Sequence, residues 1–219
     1  MENKLESNFK NMVLVLLTVT LGIATSVSYV FALTQGPIEL VKQKQETDAI
    51  RQVVPSFDNN PSADAWQVAV SGGETAKYNY LYTNQKPDSL ILYPAKRGGE
   101  LVGTAVKTFS NNGFGGQVWV MVGFKPDGAV YGYSVLEHHE TPGLGTEMID
   151  WFSQTGRGNI IGKNPSVKNL QVKKDGGDVD AITAATISSK AFLDAVNRAS
   201  AAVSGSADSY SGATKKVEN

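Results

Sequence analysis

The sequence predicts an α+β fold, one twisted antiparallel sheet with helices packed on it, carried on a single N-terminal transmembrane helix. Three observations predict it. A run of 22 residues without a charge extends from Met12 to Leu33. Short strand-like segments, alternating at Trp66–Val70 and Tyr78–Tyr82, lie between Trp66 and Leu136. A single amphipathic stripe then runs from Ile187 to Val203.

The uncharged run is rich in Val, Leu, Ile and Phe, and a helix rising about 1.5 Å per residue would just cross the hydrocarbon core. It exceeds the 7–15 residues usual for a signal-peptide core, and no small-x-small site closes it, so an anchor fits better than a cleaved signal. Lys4 and Lys10 lie in the short head before it, partly offset by Glu2 and Glu6. That weak positive-inside bias places residues 1–11 in the cytoplasm and the body of the chain outside it. Tyr29 and Phe31 fall near the outer end, where aromatic rings favour the interface. Beyond Gln35-Gly36-Pro37, apolar residues at Ile38, Val41, Ala49, Ile50, Val53 and Val54 among Lys, Gln and Glu predict a stalk helix over residues 36–54.

Pro55 to Pro61 is a loop that marks the edge of a compact domain over residues 60–203. Within it, Trp66–Val70, Tyr78–Tyr82, Leu101–Phe109 and Gln117–Phe124 are predicted strands, and Pro126-Asp127-Gly128 turns the last of these into Ala129–Leu136 as a hairpin. The stripe Ile187, Ala191, Phe192, Ala195, Val196, Ala199 and Val203 is the face of a helix packed on that sheet. Residues 204–219 read as a mobile tail of Ser, Gly, Asp and Lys.

With 41% hydrophobic and 19% charged residues the chain has ample material for a core. A formal net charge of -1 gives no basic field for nucleic acid. Cysteine is absent, which removes disulfides, thiolate nucleophiles, iron–sulfur ligands and attached c-type haem. Redox work by this chain would need an organic cofactor, a His/carboxylate metal site or a partner's centres. There is no P-loop, no nucleophile elbow and no dinucleotide fingerprint, and Gly113-Phe114-Gly115-Gly116 lacks the spacing of one.

Two segments could carry chemistry. Asp180-Ala181-Ile182-Thr183-Ala184-Ala185-Thr186-Ile187-Ser188-Ser189 places small residues and several hydroxyls just before the C-terminal helix. A helix start offers unpaired N–H groups and a positive dipole end to a phosphate. The plainer reading is capping, with Thr183 or Thr186 as N-cap and Ser189 at the third helical position, and composition does not decide between them. In the second segment, a strand ending in Glu140-Thr141 runs into Pro142-Gly143-Leu144-Gly145, where glycine lets backbone approach a flat ring. A tight structural turn is the alternative. His138 and His139 invite a metal reading, but neighbours on a strand point to opposite faces and do not readily grip one ion together.

Asp-x-x-(Ser/Thr)-x-Ala-Thr followed by hydroxyl residues and a helix resembles the flavinylation motif of the G subunit of Rnf-type ion-translocating ferredoxin:NAD oxidoreductases. It is also similar to that of the related C subunit of sodium-pumping NADH:quinone oxidoreductases. Glu140-Thr141-Pro142-Gly143-Leu144-Gly145, with Gly113–Gly116 and the hairpin around Asp127, resembles the same family's central block. The likeness covers the chain except the tail, and the chain's length of 219 residues favours the Rnf protein over its quinone-reductase relative. The resemblance implies an FMN-binding domain of packed helices on an antiparallel sheet. FMN would be esterified to Thr186 by a flavin transferase drawing on FAD, with Asp180 and Thr183 as recognition positions. Ala185, Ser188 and Ser189 would lie against the cofactor, and Glu140, Thr141, Gly143, Leu144 and Gly145 would cradle it. Ala184 stands where glycine is more usual, a departure of one methyl group.

The resemblance further implies a subunit without turnover of its own, relaying electrons among the membrane and peripheral subunits of a complex that moves Na⁺ or H⁺ across the bacterial cytoplasmic membrane. In the tail, Asp208 to Thr214 repeats the motif with Gly212 at the usual place, which makes Thr214 a second candidate acceptor although Lys215 and Lys216 follow it rather than a helix. Two other readings stay open, an independent membrane-anchored extracytosolic flavoprotein reductase and a non-redox tethered module in which the Ser/Thr turns are only caps.

Overall fold

The computed structural model describes residues 9–69 and 89–205. The strand expected over Tyr78–Tyr82, the head before Phe9 and the tail that holds Thr214 lie outside the described residues. The chain divides into two units between Lys44 and Gln45.

One helix, α1, runs over Phe9–Val53 and includes Pro37. In the first unit it is exposed throughout, and it is long and apolar enough to cross a membrane. Thr18, Thr20, Thr25, Ser26 and Thr34 turn their hydroxyls back onto carbonyls of the helix itself. Thr20 donates to the Leu16 carbonyl at 2.8 Å, Ser26 to Gly22 at 2.8 Å and Thr34 to Val30 at 2.9 Å. A helix in lipid needs such internal partners because no water is there to supply them.

The second unit is built on five strands in the order β1-β2-β3-β4-β5, all antiparallel neighbours: β1 Trp66–Ala69, β2 Ser89–Arg97, β3 Glu100–Ser110, β4 Val118–Phe124 and β5 Val130–Glu137. Consecutive strands pair, so each connection is local. Alternation divides the side chains between two covered faces. Val118, Val120, Val122 and Phe124 of β4 enter one core with Phe192, Ala195, Val196 and Ala199 of α3 (Thr186–Val203), the helix that follows the single turn α2 (Met148–Trp151). Met121, with Ala105 and Tyr93, enters a second core with Ala49, Ile50 and Val53 at the end of α1. Burial on both faces explains why β4 reads as a continuous apolar run. On the second face Glu46 accepts the Tyr93 hydroxyl and pairs with Lys107 at 3.2 Å. Burial, reinforced by Glu46, pushes the Tyr93 phenol up, so it remains a donor.

The sequence pattern conceals β2. Pro94 interrupts its alternation, and proline cannot donate to a ladder. The structure accommodates it where β2 has run past β1, whose pairing stops at Trp66 opposite Leu92. There the Asn59 side chain serves the open edge, donating to the Pro94 carbonyl at 2.9 Å and accepting from the Lys96 N–H at 2.8 Å. The expected β4–β5 turn is present. Gly128 N–H donates to Lys125 at 2.9 Å, and Asp127 accepts from the Ala129 N–H at 2.9 Å.

Helix α3 lies close to the sheet because alanines line its inner face, and buried Thr108 of β3 donates to the Ala195 carbonyl at 2.9 Å. Phe192 stacks on Phe152 with centroids 4.4 Å apart and meets Tyr133 of β5 edge-on at 4.8 Å. Tyr133 in turn donates to the carbonyls of Met148 and Ile149, at 3.0 and 2.9 Å. These rings join α3, β5 and the segment that follows β5. Phe192→Ala should lower stability by about 3–5 kcal/mol, since a fully buried ring is lost with both its partners. Urea unfolding of the full-length protein in detergent, followed by tryptophan fluorescence, checks this; an unchanged midpoint would contradict the packing described.

Candidate functional site

Because β4 pairs with β5, the loop entering β4 and the loop leaving β5 lie at the same end of the sheet, with Trp119 opposite Glu137. The first loop carries Gly113–Gly116, the second His138–Gly145. The strand β5 ends at Glu137, not at Thr141 as expected. His138 and His139 therefore stand in the loop, and the argument from opposite strand faces does not apply to them. His138 accepts the Glu140 N–H at 3.3 Å and His139 is exposed.

Glu140 joins the two loops to α3. Its side chain is buried, with one carboxylate oxygen accepting from the Gly115 N–H at 3.2 Å and the other from the Ser188 hydroxyl at 2.6 Å. A buried carboxylate is tolerated only with such donors. The glycines beside it are required by space. A Cβ on Gly145 would come within 2.7 Å of the Glu140 Cβ and 2.8 Å of the Ser188 hydroxyl, and one on Gly115 would collide with the His139 carbonyl. The rest of the turn faces outward. Thr141, Pro142, Gly143 and Leu144 are exposed, Gly143 has φ 72°, and the Gly143 N–H donates to the Thr146 hydroxyl at 2.9 Å.

The motif segment packs against this junction. Trp151 donates its indole N–H to the Asp180 carbonyl at 2.9 Å, while the Asp180 carboxylate pairs with Lys173 at 2.8 Å on the surface. The chain then turns at Ala184, whose φ of 60° is the one positive value among the described non-glycine residues. The glycine usual at this place in the resembled family would adopt that conformation freely, so the departure adds backbone strain and not merely a methyl group.

Helix α3 starts at Thr186, one residue before the expected start. Ala185 is its N-cap and makes no side-chain cap, so neither threonine caps the helix. Ser189 lies in the fourth helical position and is fully buried. Its hydroxyl donates to the Ala185 carbonyl at 2.9 Å and accepts from the Ile182 N–H at 2.9 Å, closing the motif turn on itself. Ser188 is committed to Glu140. The two serines and buried Ala185 thus hold the turn. The hydroxyls of exposed Thr183 and half-exposed Thr186 make no hydrogen bond within the described protein. Four hydroxyls that look equivalent in sequence are thereby divided into two that are used internally and two that are free.

Three large apolar side chains stand in solvent around the junction: Phe114, Leu144 and Ile187, at 68%, 39% and 53% exposure. Each is the chain neighbour of a residue packed against Glu140 or bonded to it. Grouped exposed hydrophobics of this size mark a surface that something covers. The site brings together Glu140, Gly145, Ser188 and the α3 start. The sequence points to Glu140 and Ser188 without their bond to each other, and it points to neither Trp151 nor Lys173; no local pattern signals a contact 48 residues apart.

Comparison with known proteins agrees with this geometry. Residues 113–201, which span both loops and most of α3, match the FMN-binding domain family. The G subunit of the ion-translocating oxidoreductase complex of Erwinia tasmaniensis is 33% identical over 191 residues, covering 84% of this chain and 85% of the relative. The protein of the same name from Aliivibrio fischeri is 32% identical, covering 88% of this chain and 89% of its own. The G subunit of the Na⁺-translocating ferredoxin:NAD⁺ oxidoreductase complex of Acetobacterium woodii is 29% identical, covering 84% and 86%. Similarity of this extent means that the chain belongs to the family of G subunits of ion-translocating oxidoreductase complexes.

Proposed function

We propose that this chain is the FMN-bearing electron-relay subunit of a membrane complex that couples electron transfer between ferredoxin and NAD to movement of Na⁺ or H⁺, and that its FMN is held by a phosphoester on Thr186. The observation that carries the proposal is the free Thr186 hydroxyl at the uncapped start of α3, next to Ile187 in the exposed apolar group. The residues fit the cofactor. An apolar ring system suits Phe114, Leu144 and Ile187, and a phosphate at the first helical residue suits unpaired N–H groups and the positive end of the helix dipole. When bound, FMN supplies one- and two-electron chemistry that no side chain of this cysteine-free protein provides.

The chain's own residues present the acceptor. The Ser189 hydroxyl and the Ala184 conformation set the turn, the Trp151–Asp180 bond fixes its entry, and Glu140 through Ser188 ties the first turn of α3 to the glycine loops. In maturation the Thr186 hydroxyl oxygen would form a bond to the FMN-side phosphorus of FAD, the bond from that phosphorus to the AMP half would break, AMP would leave, and the hydroxyl proton would pass to a base of the flavin transferase. Asp180 and Thr183, both solvent-accessible, remain available to that enzyme. We further propose that α1 crosses the cytoplasmic membrane once, with its head inside and the sheet domain on the extracytoplasmic side. There an ester link keeps the cofactor from diffusing away, and the other subunits supply its donor and acceptor.

Two results test this reading. With the transferase coexpressed, flavin fluorescence that survives denaturation should disappear in Thr186→Val and persist in Thr183→Val; persistence in the first would move the acceptor elsewhere. Ala184→Gly should raise stability by about 1 kcal/mol by relieving the left-handed alanine, measured as the shift in urea midpoint. A drop on this substitution would mean that the turn is not strained.

A further inference from the structure

The stretch that leads into the motif carries a surplus of positive charge. Residues 157–190 contain six cations, Arg157, Lys163, Lys168, Lys173, Lys174 and Lys190, against three carboxylates, Asp175, Asp178 and Asp180, whereas the whole chain has a formal charge of -1. Contacts gather them in one place. Asp178 binds Lys163 at 2.6 Å and lies 4.0 Å from Lys168, Asp180 binds Lys173 at 2.8 Å, and Asp175 binds Lys190 of α3 at 2.7 Å. All three carboxylates belong to one six-residue stretch, 175–180. Arg157 lies over the Trp151 ring, whose indole holds the Asp180 carbonyl. The Lys163 hydrogen bond keeps the Asp178 carboxyl below its usual range, so the carboxylate remains charged.

The ion pairs are solvated, with side-chain exposures from 30% to 66%. Pairs of this kind contribute little to the fold. The pairs hold four of the six cations, and over the whole stretch 157–190 cations exceed carboxylates by three; Lys190 stands one helical turn from Thr186 on the same face. A surplus of charge next to an exposed cofactor site raises the encounter rate with an oppositely charged partner more than it strengthens a lasting complex.

We infer that this basic surface docks the acidic face of the redox protein or domain that exchanges electrons with the flavin. The inference rests on the reading that the site beside α3 holds the flavin. It assigns Lys168 and Lys174 to partner encounter, not to holding the cofactor.

The test uses the full-length flavinylated chain in detergent, photoreduced and mixed with a strongly acidic one-electron carrier such as a flavodoxin, or with basic cytochrome c, over a series of salt concentrations. Transfer to the acidic carrier should be fast at low salt and fall as salt rises. The double variant Lys168→Glu, Lys174→Glu should slow it about tenfold at low salt, converge with the unaltered chain at high salt, and accelerate reaction with cytochrome c. Equal rates and equal salt dependence for variant and parent would overturn the inference. So would a variant that loses flavin content but keeps its rate per flavin, since the surface would then serve the transferase. The rate comparison is per flavin and holds whichever residue carries the cofactor; the mass of the flavin-bearing peptide reports separately on Thr186.

Discussion

The site depends on one buried carboxylate. Glu140 takes the Gly115 N–H and the Ser188 hydroxyl on its two oxygens, and in doing so fastens the loops at one end of the sheet to the first turn of α3. A carboxylate removed from water costs several kcal/mol unless such donors meet it. Its environment therefore allows little variation: glycine at 145, where a Cβ would meet Glu140 and Ser188, and a hydroxyl at 188. The outward parts of the same segments, Phe114, Leu144, Thr186 and Ile187, are left free of structural work. That division lets a rigid frame present an accessible surface.

The frame is supported from behind by rings. Phe152, Phe192 and Tyr133 pack together under α3, and Tyr133 secures the carbonyls of the segment that leads to Trp151. Burial holds the Tyr133 phenol well above its ordinary value, so it stays protonated and a donor at neutral pH. Trp151 then carries the order onward to Asp180, where the motif begins. Thr186 is thus held through packed aromatic side chains on one side and the Glu140–Ser188 bond on the other. The strained Ala184 lies between these two points of support.

Much of this was legible in the sequence. The apolar N-terminal run, four of the strands among the described residues, the Asp127 turn and the α3 stripe all follow from apolar patterning and turn chemistry. The β2 strand was hidden because Pro94 reads as a breaker, and only the tertiary position of Asn59 makes it harmless. The glycine-rich turn and the hydroxyl cluster were legible as candidates, and their family resemblance gave them a role. Their internal division was not legible. Ser188 and Ser189 differ from Thr183 and Thr186 through contacts with Glu140 and Ile182, which local composition does not encode. Nor does a single methyl group in the sequence reveal that Ala184 occupies left-handed backbone.

Peptide mass mapping of the denatured full-length protein, made in cells with and without an active flavin transferase, decides whether Thr186 carries the flavin. An FMN adduct is expected on the peptide that contains Thr186, present only with the transferase, and the same map reads the tail peptide containing Thr214. An unmodified Thr186 peptide in the presence of active transferase would contradict the account and reduce the free hydroxyl at the start of α3 to an unused helix end.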